Sequence, residues 1–129
     1  MKTISTRAAL AGVAAAMLVA APALADVKIG SLGAITGPIV SLVKEINLAE
    51  QAAIDEINAG GGINGDKAVI VFGDTGCNSQ TAVDAANKLV NIEQVVGIAG
   101  ALCSGATIPA ASNVAVPAGV VMISPASTS

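Results

Sequence analysis

Two short stretches of this sequence carry polar side chains of a kind that bind or react with small molecules. In residues 101–110, which read ALCSGATIPA, an apolar run stops abruptly at Cys103 and Ser104. Ser127 and Thr128 form a second group of hydroxyl side chains near the last residue. Such residues could form a nucleophile, a phosphate-binding loop or a receptor for another charged group, and the rest of the sequence discriminates among these three chemistries.

The cysteines are candidates for covalent chemistry or for a structural bridge. The sequence contains no histidine, which excludes acyl transfer by a Ser–His or Cys–His pair within this chain and also a His-ligated metal site. Cys77 and Cys103 are the only cysteines, and the export signal described below directs them to an oxidising compartment, where such pairs usually form disulfides. A structural disulfide is the favoured interpretation, and closing a loop of about 26 residues would stabilise the fold by about 3 kcal/mol. A reactive thiolate is the alternative, although no neighbouring base or Cys-x-x-Cys motif supports it.

Glycine spacing does not support a phosphate-binding loop. Residues 30–37, between the first predicted strand and helix, lack the G-x-G-x-x-G spacing of a dinucleotide site, and no Walker sequence occurs. The glycines at residues 60–62 and Gly65 precede a strand, so they lie on the edge of the sheet opposite to that on which a phosphate would bind. Nucleotide binding is therefore disfavoured, and no cofactor is predicted.

The hydroxyl side chains have a structural interpretation and a functional one. Ser104 or Thr107 could cap a helix that starts near Ile108, where Pro109 is tolerated because the first helical turn has spare N–H groups. A hydroxyl beside unpaired N–H groups at a helix N-terminus is also a receptor for a carboxylate. The hydroxyls after Pro125 repeat that chemistry, and two such groups facing one crevice favour ligand binding over capping alone.

Strands and helices alternate along the chain. Short apolar runs rich in β-branched residues predict strands at residues 27–30, 68–72, 95–99 and 119–123. Apolar residues spaced three and four apart predict helices at about residues 39–58, 79–90 and 108–115, the second of them capped by Asn78 or Ser79. The apolar face of the first helix is predicted to consist of Leu42, Ile46, Ala49, Ala53 and Ile57.

This order predicts an α/β fold. The pattern βαβαβαβ implies a three-layer sandwich with a parallel sheet, because right-handed crossovers place helices on both faces. In such sheets ligands bind outside the carboxyl ends of the strands. The segments predicted to lie there are residues 33–36, 102–107 and 124–128, which include both hydroxyl-rich stretches.

The amino terminus predicts export. Lys2 and Arg7 precede an apolar stretch, and residues 23–25 (ALA) form a small-x-small site, so residues 1–25 are interpreted as a signal peptide cleaved after Ala25. The apolar core of about 14 residues is shorter than the ~20 needed to cross a bilayer, which disfavours a retained anchor. The mature chain is expected to be soluble and periplasmic.

The composition of the mature chain excludes one class of partner. Four lysines face nine acidic residues after removal of residues 1–25, a formal charge of about −5. This acidity disfavours binding to nucleic acid. Residues 26–129 suffice for one small core, but the last predicted strand is followed by no helix, and the chain is expected to be cut short.

Five stretches, taken in order, resemble one known family. They are GAITGP at residues 33–38, DEINAGG at 55–61, AVDAANKLV at 82–90, CSGATIPA at 103–110 and MISPAST at 122–128. Together they resemble the amino-terminal lobe of the periplasmic leucine/isoleucine/valine-binding proteins, the solute-binding components of branched-chain amino-acid ABC transporters. Each motif is weak alone, but the ordered set, which runs from Asp26 to the last residue, is specific.

The resemblance implies roles for individual residues. In that family a serine after a cysteine at the third strand end binds the ligand carboxylate through its hydroxyl and N–H, and this serine corresponds to Ser104. The family's Ala-x-Thr after Ser-Pro supplies a carbonyl and a hydroxyl for the ammonium group and an N–H for the carboxylate, which matches Ala126 and Thr128. Residues that line the side-chain pocket in the family match Leu102 and Cys103.

The resemblance also implies a larger protein. Family members have two α/β lobes that close over one amino acid, and their disulfide corresponds to a bridge between Cys77 and Cys103. The second lobe, with the acidic residue that meets the ammonium group, is missing here, so residues 26–129 are expected to be a partial amino-terminal ligand-binding lobe. Where leucine-binding relatives carry an aromatic residue shortly after Gly-Pro, this sequence has Leu42, which alters the apolar wall of the pocket.

The implied function is binding, without enzymatic activity, cofactor or metal. A monomeric periplasmic solute-binding protein would present a branched-chain or similar aliphatic amino acid to an inner-membrane ABC permease. One alternative is an amide or amino-acid sensor built on the same lobes, which would normally lack an export signal. Another is an enzyme on a flavodoxin-like sheet, against which the absence of histidine and of a phosphate loop argues.

Overall fold

The computed structural model describes residues 25–129. The predicted signal peptide, apart from Ala25, lies outside the described residues. The strands of the described part are β1 (Val27–Gly33), β2 (Ala68–Asp74), β3 (Gly97–Gly100) and β4 (Val121–Ile123). The helices are α1 (Val40–Ala59), α2 (Ser79–Asn87) and α3 (Ser104–Ala110). Helices α2 and α3 each continue into a π-helical turn, at Lys88–Ile92 and Ala111–Ala115.

The strands form one parallel sheet in the order β2-β1-β3-β4. Strand β1 pairs with β2 along its full length, from Val27 opposite Ala68 to Gly33 opposite Asp74. On its other side β1 pairs with β3, beginning with Ile29 opposite Gly97. The α/β fold and the order βαβαβαβ predicted from the sequence are therefore confirmed.

The main core lies between the sheet and helices α2 and α3. Leu32 of β1 and Leu89, in the π-helical turn after α2, are each only 1% exposed and belong to one apolar cluster that also includes Ile98 of β3. A smaller cluster on the α1 side contains Ala34 and Val43. Fully burying each large aliphatic side chain contributes about 2 to 3 kcal/mol, so these clusters dominate the stability of the fold.

The apolar face of α1 differs from the prediction. The structure buries Val43 and Ile54, which are three helical turns apart and therefore on the same side of the helix. Leu42 and Ile57, predicted to be on that side, are 54% and 38% exposed. The reason is that α1 packs mainly over β2. Other apolar positions of α1 border an open groove of about 490 Å³, which is lined by Ile46, Ala49, Glu50, Ala53, Ala99, Ile123 and Pro125.

The third helix begins four residues earlier than predicted. The backbone of Cys103 is extended (φ −91°, ψ 125°) and α3 starts at Ser104, so Pro109 lies inside the helix rather than in its first turn. Proline has no N–H, and the carbonyl four residues before it, that of Gly105, consequently loses its helical partner. This carbonyl instead accepts a hydrogen bond from the Ser79 hydroxyl at 2.8 Å. This hydrogen bond compensates in part for the helical bond that Pro109 cannot form.

Other boundaries shift because loop hydrogen bonds replace strand pairing. The Val95 N–H donates to the Leu89 carbonyl at 3.1 Å, and the Gly119 N–H donates to the Val116 carbonyl at 3.0 Å, so β3 and β4 start later than predicted. Asn78 is the cap of α2, since its side-chain oxygen accepts hydrogen bonds from the N–H groups of the second and third helical residues. In the part of the chain that the structure describes, no helix is long and apolar enough to cross a membrane.

Replacing Gly100 should destabilise the fold. Gly100 has a φ of +114°, and a β-carbon there would meet the backbone oxygen of Leu32 in the adjacent strand. We expect Gly100→Ala to lower the free energy of unfolding by at least about 2 kcal/mol, measured by urea denaturation. Gly105→Ala is the matched control, since nothing lies within 4 Å of its β-carbon position. Equal stabilities of the two variants would contradict the prediction.

Candidate functional site

The carboxyl ends of the parallel strands place four connecting segments on one edge of the sheet. These segments are residues 34–39 after β1, 75–78 after β2, 101–103 after β3 and 124–129 after β4. Both hydroxyl-rich stretches of the sequence lie here, as their positions after strands predicted. The geometry of this edge therefore decides what the chain could bind.

Ser104 and Thr128 lie next to each other at this edge. The Ser104 hydroxyl oxygen accepts hydrogen bonds from the backbone N–H of Thr128 at 3.2 Å and of Ser129 at 3.3 Å. A hydroxyl has two lone pairs and one hydrogen, so these bonds occupy both acceptor positions and leave the hydrogen. Among the described residues no oxygen accepts that hydrogen. The arrangement presents an O–H donor at a partly exposed position.

A second set of hydroxyls holds the last segment against α3. The carbonyl oxygen of Ala101 lies within hydrogen-bond distance of three hydroxyl oxygens, those of Ser124 (2.5 Å), Thr107 (2.9 Å) and Ser127 (3.1 Å). Thr107 and Ser127 also share a hydrogen bond of 2.5 Å. The prediction that Ser104 or Thr107 caps a helix at Ile108 is wrong, because the N-cap is Cys103 and no side chain caps it.

The remaining predicted site residues differ in how accessible they are. Ala126 is exposed in the segment after β4, and its N–H approaches the Ser124 hydroxyl at 3.4 Å. Leu102 is only 7% exposed, because its side chain packs against Ala34 and Val43. Most of the Leu102 surface is thus used for packing inside the fold, and its role in lining a pocket stays a prediction.

Cys77 and Cys103 form the disulfide that the sequence favoured. Their Cα atoms are 5.4 Å apart, within the distance that a bridge can span. No free cysteine occurs among residues 25–129, so the alternative of a reactive thiolate is wrong. The bridge joins the turn before α2 to the residue immediately before Ser104 and so restrains the start of α3.

Asp74 is a residue that sequence reasoning missed. At the end of β2, its carboxylate accepts hydrogen bonds from the Thr36 N–H (3.1 Å), the Thr36 hydroxyl (2.6 Å) and the Gly76 N–H (3.0 Å). Burial raises the pKa of Asp74, whereas these hydrogen bonds and one from the Ile35 backbone lower it. The lowering is larger, so the pKa lies below its ordinary value of 3.8. The carboxylate holds the β1–α1 loop against β2. The position of Asp74 at the end of a predicted strand could have identified it as a residue of this edge. The spacing of residues along the sequence did not identify Thr36 as its partner.

Metal binding finds no support in the described residues. Across residues 25–129, no three side chains of His, Cys, Asp or Glu come together in a group that could hold a metal ion. Apart from the Asp74 carboxylate and the Asn78 amide, the polar groups at the carboxyl edge are hydroxyls, N–H groups and carbonyls. Such groups recognise a small polar ligand by hydrogen bonding.

Comparison with known proteins supplies the family. A family model described as periplasmic binding protein matches residues 26–129. The chain belongs to this periplasmic binding protein family. The resemblance to leucine/isoleucine/valine-binding proteins, inferred from five motifs, is likewise confirmed by individual relatives.

Those relatives are much longer than this chain. The Leu/Ile/Val-binding protein homolog 7 of Brucella suis is 45% identical over 108 residues, which cover 84% of this chain and 27% of the relative. The Leu/Ile/Val-binding protein of Citrobacter freundii is 38% identical over 122 residues, covering 95% of this chain and 33% of the relative. The chain therefore spans about a quarter to a third of the length of these members of the periplasmic binding protein family.

A solved structure confirms the fold of the family. The branched-chain amino acid transporter substrate binding protein of Streptococcus pneumoniae, in complex with isoleucine, superposes with a TM-score of 0.76 and 34% identity. The match covers 81% of this chain and 30% of that protein. The α/β architecture described above is therefore that of a periplasmic binding protein.

The hydrogen bonds to Asp74 make stability depend on pH in the acid range. Because the folded state lowers the pKa of Asp74, its contribution is present above the unfolded-state pKa of about 4 and is lost as the pH falls through the folded-state pKa. Between about pH 6 and about pH 2.5, the free energy of unfolding should therefore fall more for the unsubstituted chain than for Asp74→Asn.

Urea denaturation at the two pH values measures this difference. Asp55→Asn, on an exposed position of α1, is the matched control and should retain the acid sensitivity of the unsubstituted chain. If Asp74→Asn loses as much stability in acid as the unsubstituted chain, the proposed role of this carboxylate is wrong.

Proposed function

We propose that residues 26–129 are part of the amino-terminal lobe of an extracytoplasmic solute-binding protein of an ABC transporter, and that this lobe binds the carboxylate of a branched-chain or similar aliphatic amino acid. One observation carries the proposal: the Ser104 hydroxyl and the Thr128 N–H lie 3.2 Å apart at the carboxyl edge of the sheet. The names of the relatives, a Leu/Ile/Val-binding protein in Citrobacter freundii and a homolog of such a protein in Brucella suis, support the ligand class.

The chemistry of these two groups suits a carboxylate. The Ser104 hydroxyl hydrogen can donate to one carboxylate oxygen without breaking the bonds that its oxygen accepts. The Thr128 N–H can turn from the Ser104 oxygen to the ligand, so binding exchanges a neutral hydrogen bond for a charge-assisted one. Charge-assisted hydrogen bonds are worth about 1.5 to 3 kcal/mol, roughly twice the neutral value.

The rest of the ligand needs further groups. We assign the Ala126 carbonyl and the Thr128 hydroxyl to the ammonium group, and Leu102 and Cys103 to the wall around the aliphatic side chain. The exposure of Ala126 and Thr128 supports their part of this assignment. An acidic counter-charge for the ammonium group would come from a second lobe, which would close over the ligand.

The same proposal covers export and partners. Residues 1–25 would act as a cleaved signal peptide that delivers a monomeric protein to the periplasm, where an inner-membrane permease would receive the amino acid. The names of the relatives describe binding proteins, which supports a binding role rather than an enzymatic one. Such a role requires no cofactor.

Titration with L-leucine tests the proposal. In ¹⁵N-labelled mature chain, the amide resonances of Ser104 and Thr128 should shift as leucine is added, because their N–H groups meet the carboxylate. The dissociation constant should be about millimolar or weaker, since the contacts stay open to water and a second lobe is needed to bury the side chain. Absence of any shift at these amides would overturn the assigned site.

Two further measurements make the test specific. Ser104→Ala should weaken leucine binding by about tenfold, the effect of losing one hydrogen bond to a charged group. Ser112→Ala, at an exposed position of the π-helical turn after α3, should leave binding unchanged. A micromolar or tighter dissociation constant for this chain would contradict the proposed need for closure by a second lobe.

A further inference from the structure

Ser104 lies between two residues that are each tied to the start of α2. On one side, Cys103 is bridged to Cys77, with a Cα–Cα distance of 5.4 Å. On the other side, the carbonyl of Gly105 accepts a hydrogen bond from the Ser79 hydroxyl at 2.8 Å. The two ties hold the residues before and after Ser104 to one short segment, residues 77–79, where α2 begins.

The Gly105 carbonyl can accept this bond because of Pro109. In a regular helix the N–H of residue 109 would donate to the carbonyl of residue 105, but proline has no N–H. Pro109 lies inside α3, so it leaves a helical carbonyl without its partner at the residue next to Ser104. A residue on another element can then take the place of the missing donor.

Ser79 is able to donate because Asn78 already caps α2. The Asn78 side-chain oxygen accepts the N–H bonds of Gln80 and Thr81, at 2.9 Å and 3.1 Å. A serine at the start of a helix often performs that capping role itself. Here Ser79 is the first residue inside the helix, and its hydroxyl bonds across to α3 instead.

We propose that Ser79 is a positioning residue for carboxylate recognition: its bond to Gly105, together with the disulfide at Cys103, fixes the orientation in which Ser104 presents its hydroxyl. This inference rests on the proposed function of Ser104. The core packing of Ala106 keeps the first turn of α3 in place, and the bond from Ser79 adds a restraint at Gly105, directly beside Ser104. Small errors in the placement of a donor reduce binding because hydrogen bonds weaken steeply with angle.

The test uses the 129-residue chain, expressed for export, purified and labelled with ¹⁵N. L-Leucine is titrated into the unsubstituted chain and three variants: Ser79→Ala, Ser79→Thr and the control Ser112→Ala. Amide shifts of Ser104 and Thr128 give the dissociation constant. Amide hydrogen exchange at Thr128 reports, without ligand, whether its bond to the Ser104 oxygen is retained.

We expect Ser79→Ala to weaken leucine binding about fivefold, the effect of losing one hydrogen bond of typical strength, and to speed exchange at Thr128. Ser79→Thr keeps the hydroxyl and should restore both properties. Ser79→Ala loses one exposed hydrogen bond and should lower the thermal unfolding midpoint by only a few degrees, whereas Ser79→Thr and Ser112→Ala should match the unsubstituted chain. All variants then stay folded at the titration temperature, so weaker binding by Ser79→Ala does not come from unfolding.

The two proposals fail in different ways. If the unsubstituted chain shows no leucine-dependent shift at Ser104 and Thr128, the proposed function is wrong and the role of Ser79 falls with it. If the unsubstituted chain shifts but Ser79→Ala binds leucine as tightly as Ser112→Ala, only the positioning role is overturned. Failure of Ser79→Thr to restore binding would also overturn it, because the role requires the hydroxyl.

Discussion

Strand β1 hydrogen-bonds to β2 on one side and to β3 on the other, and this double parallel pairing sets the position of every segment at the candidate site. The close approach of helices to β1 depends on a small residue at its centre. A β-carbon on Gly30 would lie 3.0 Å from the Leu89 side chain and 3.4 Å from those of Val95 and Ile98. With glycine there, these apolar side chains pack directly against the backbone of β1.

The polar edge is organised by carbonyls and carboxylates that collect several donors each. The Ala101 carbonyl oxygen lies within hydrogen-bond distance of three hydroxyls, and the Asp74 carboxylate accepts bonds from Thr36 and Gly76. Each such bond is worth only about 1 kcal/mol net, whereas the bridge from Cys77 contributes about 3 kcal/mol in the chain-entropy description. The disulfide therefore provides the main restraint, and the hydrogen bonds refine the geometry around it.

Several features of this arrangement could be predicted from the sequence. Apolar runs and helical periods were sufficient for the order of elements, because burial of whole segments outweighs local detail. The cysteine pair followed from their number and the export signal. The start of α3 was not predictable in the same way. Proline is common in the first turn of a helix, so Pro109 suggested that the helix begins near Ile108. In the structure Pro109 lies deeper in the helix, and the Gly105 carbonyl accepts a hydrogen bond from Ser79 instead. Hydrogen bonds between distant residues, such as that between Thr36 and Asp74, depend on how the strands pack in three dimensions. The spacing of residues along the sequence does not reveal them.

The covalent ring closed by Cys77 and Cys103, with a sequence separation of 26, contains all of α2 and β3. One connection inside this ring is the loop after the first π-helical turn, where Gln94 is exposed with a φ of +58°. Proteolytic cleavage in that loop would not release a fragment, because both new ends belong to one cross-linked molecule. The nicked chain would run as a single species without reductant and as two pieces with it, and α2 would stay tethered beside Ser104 after the cut.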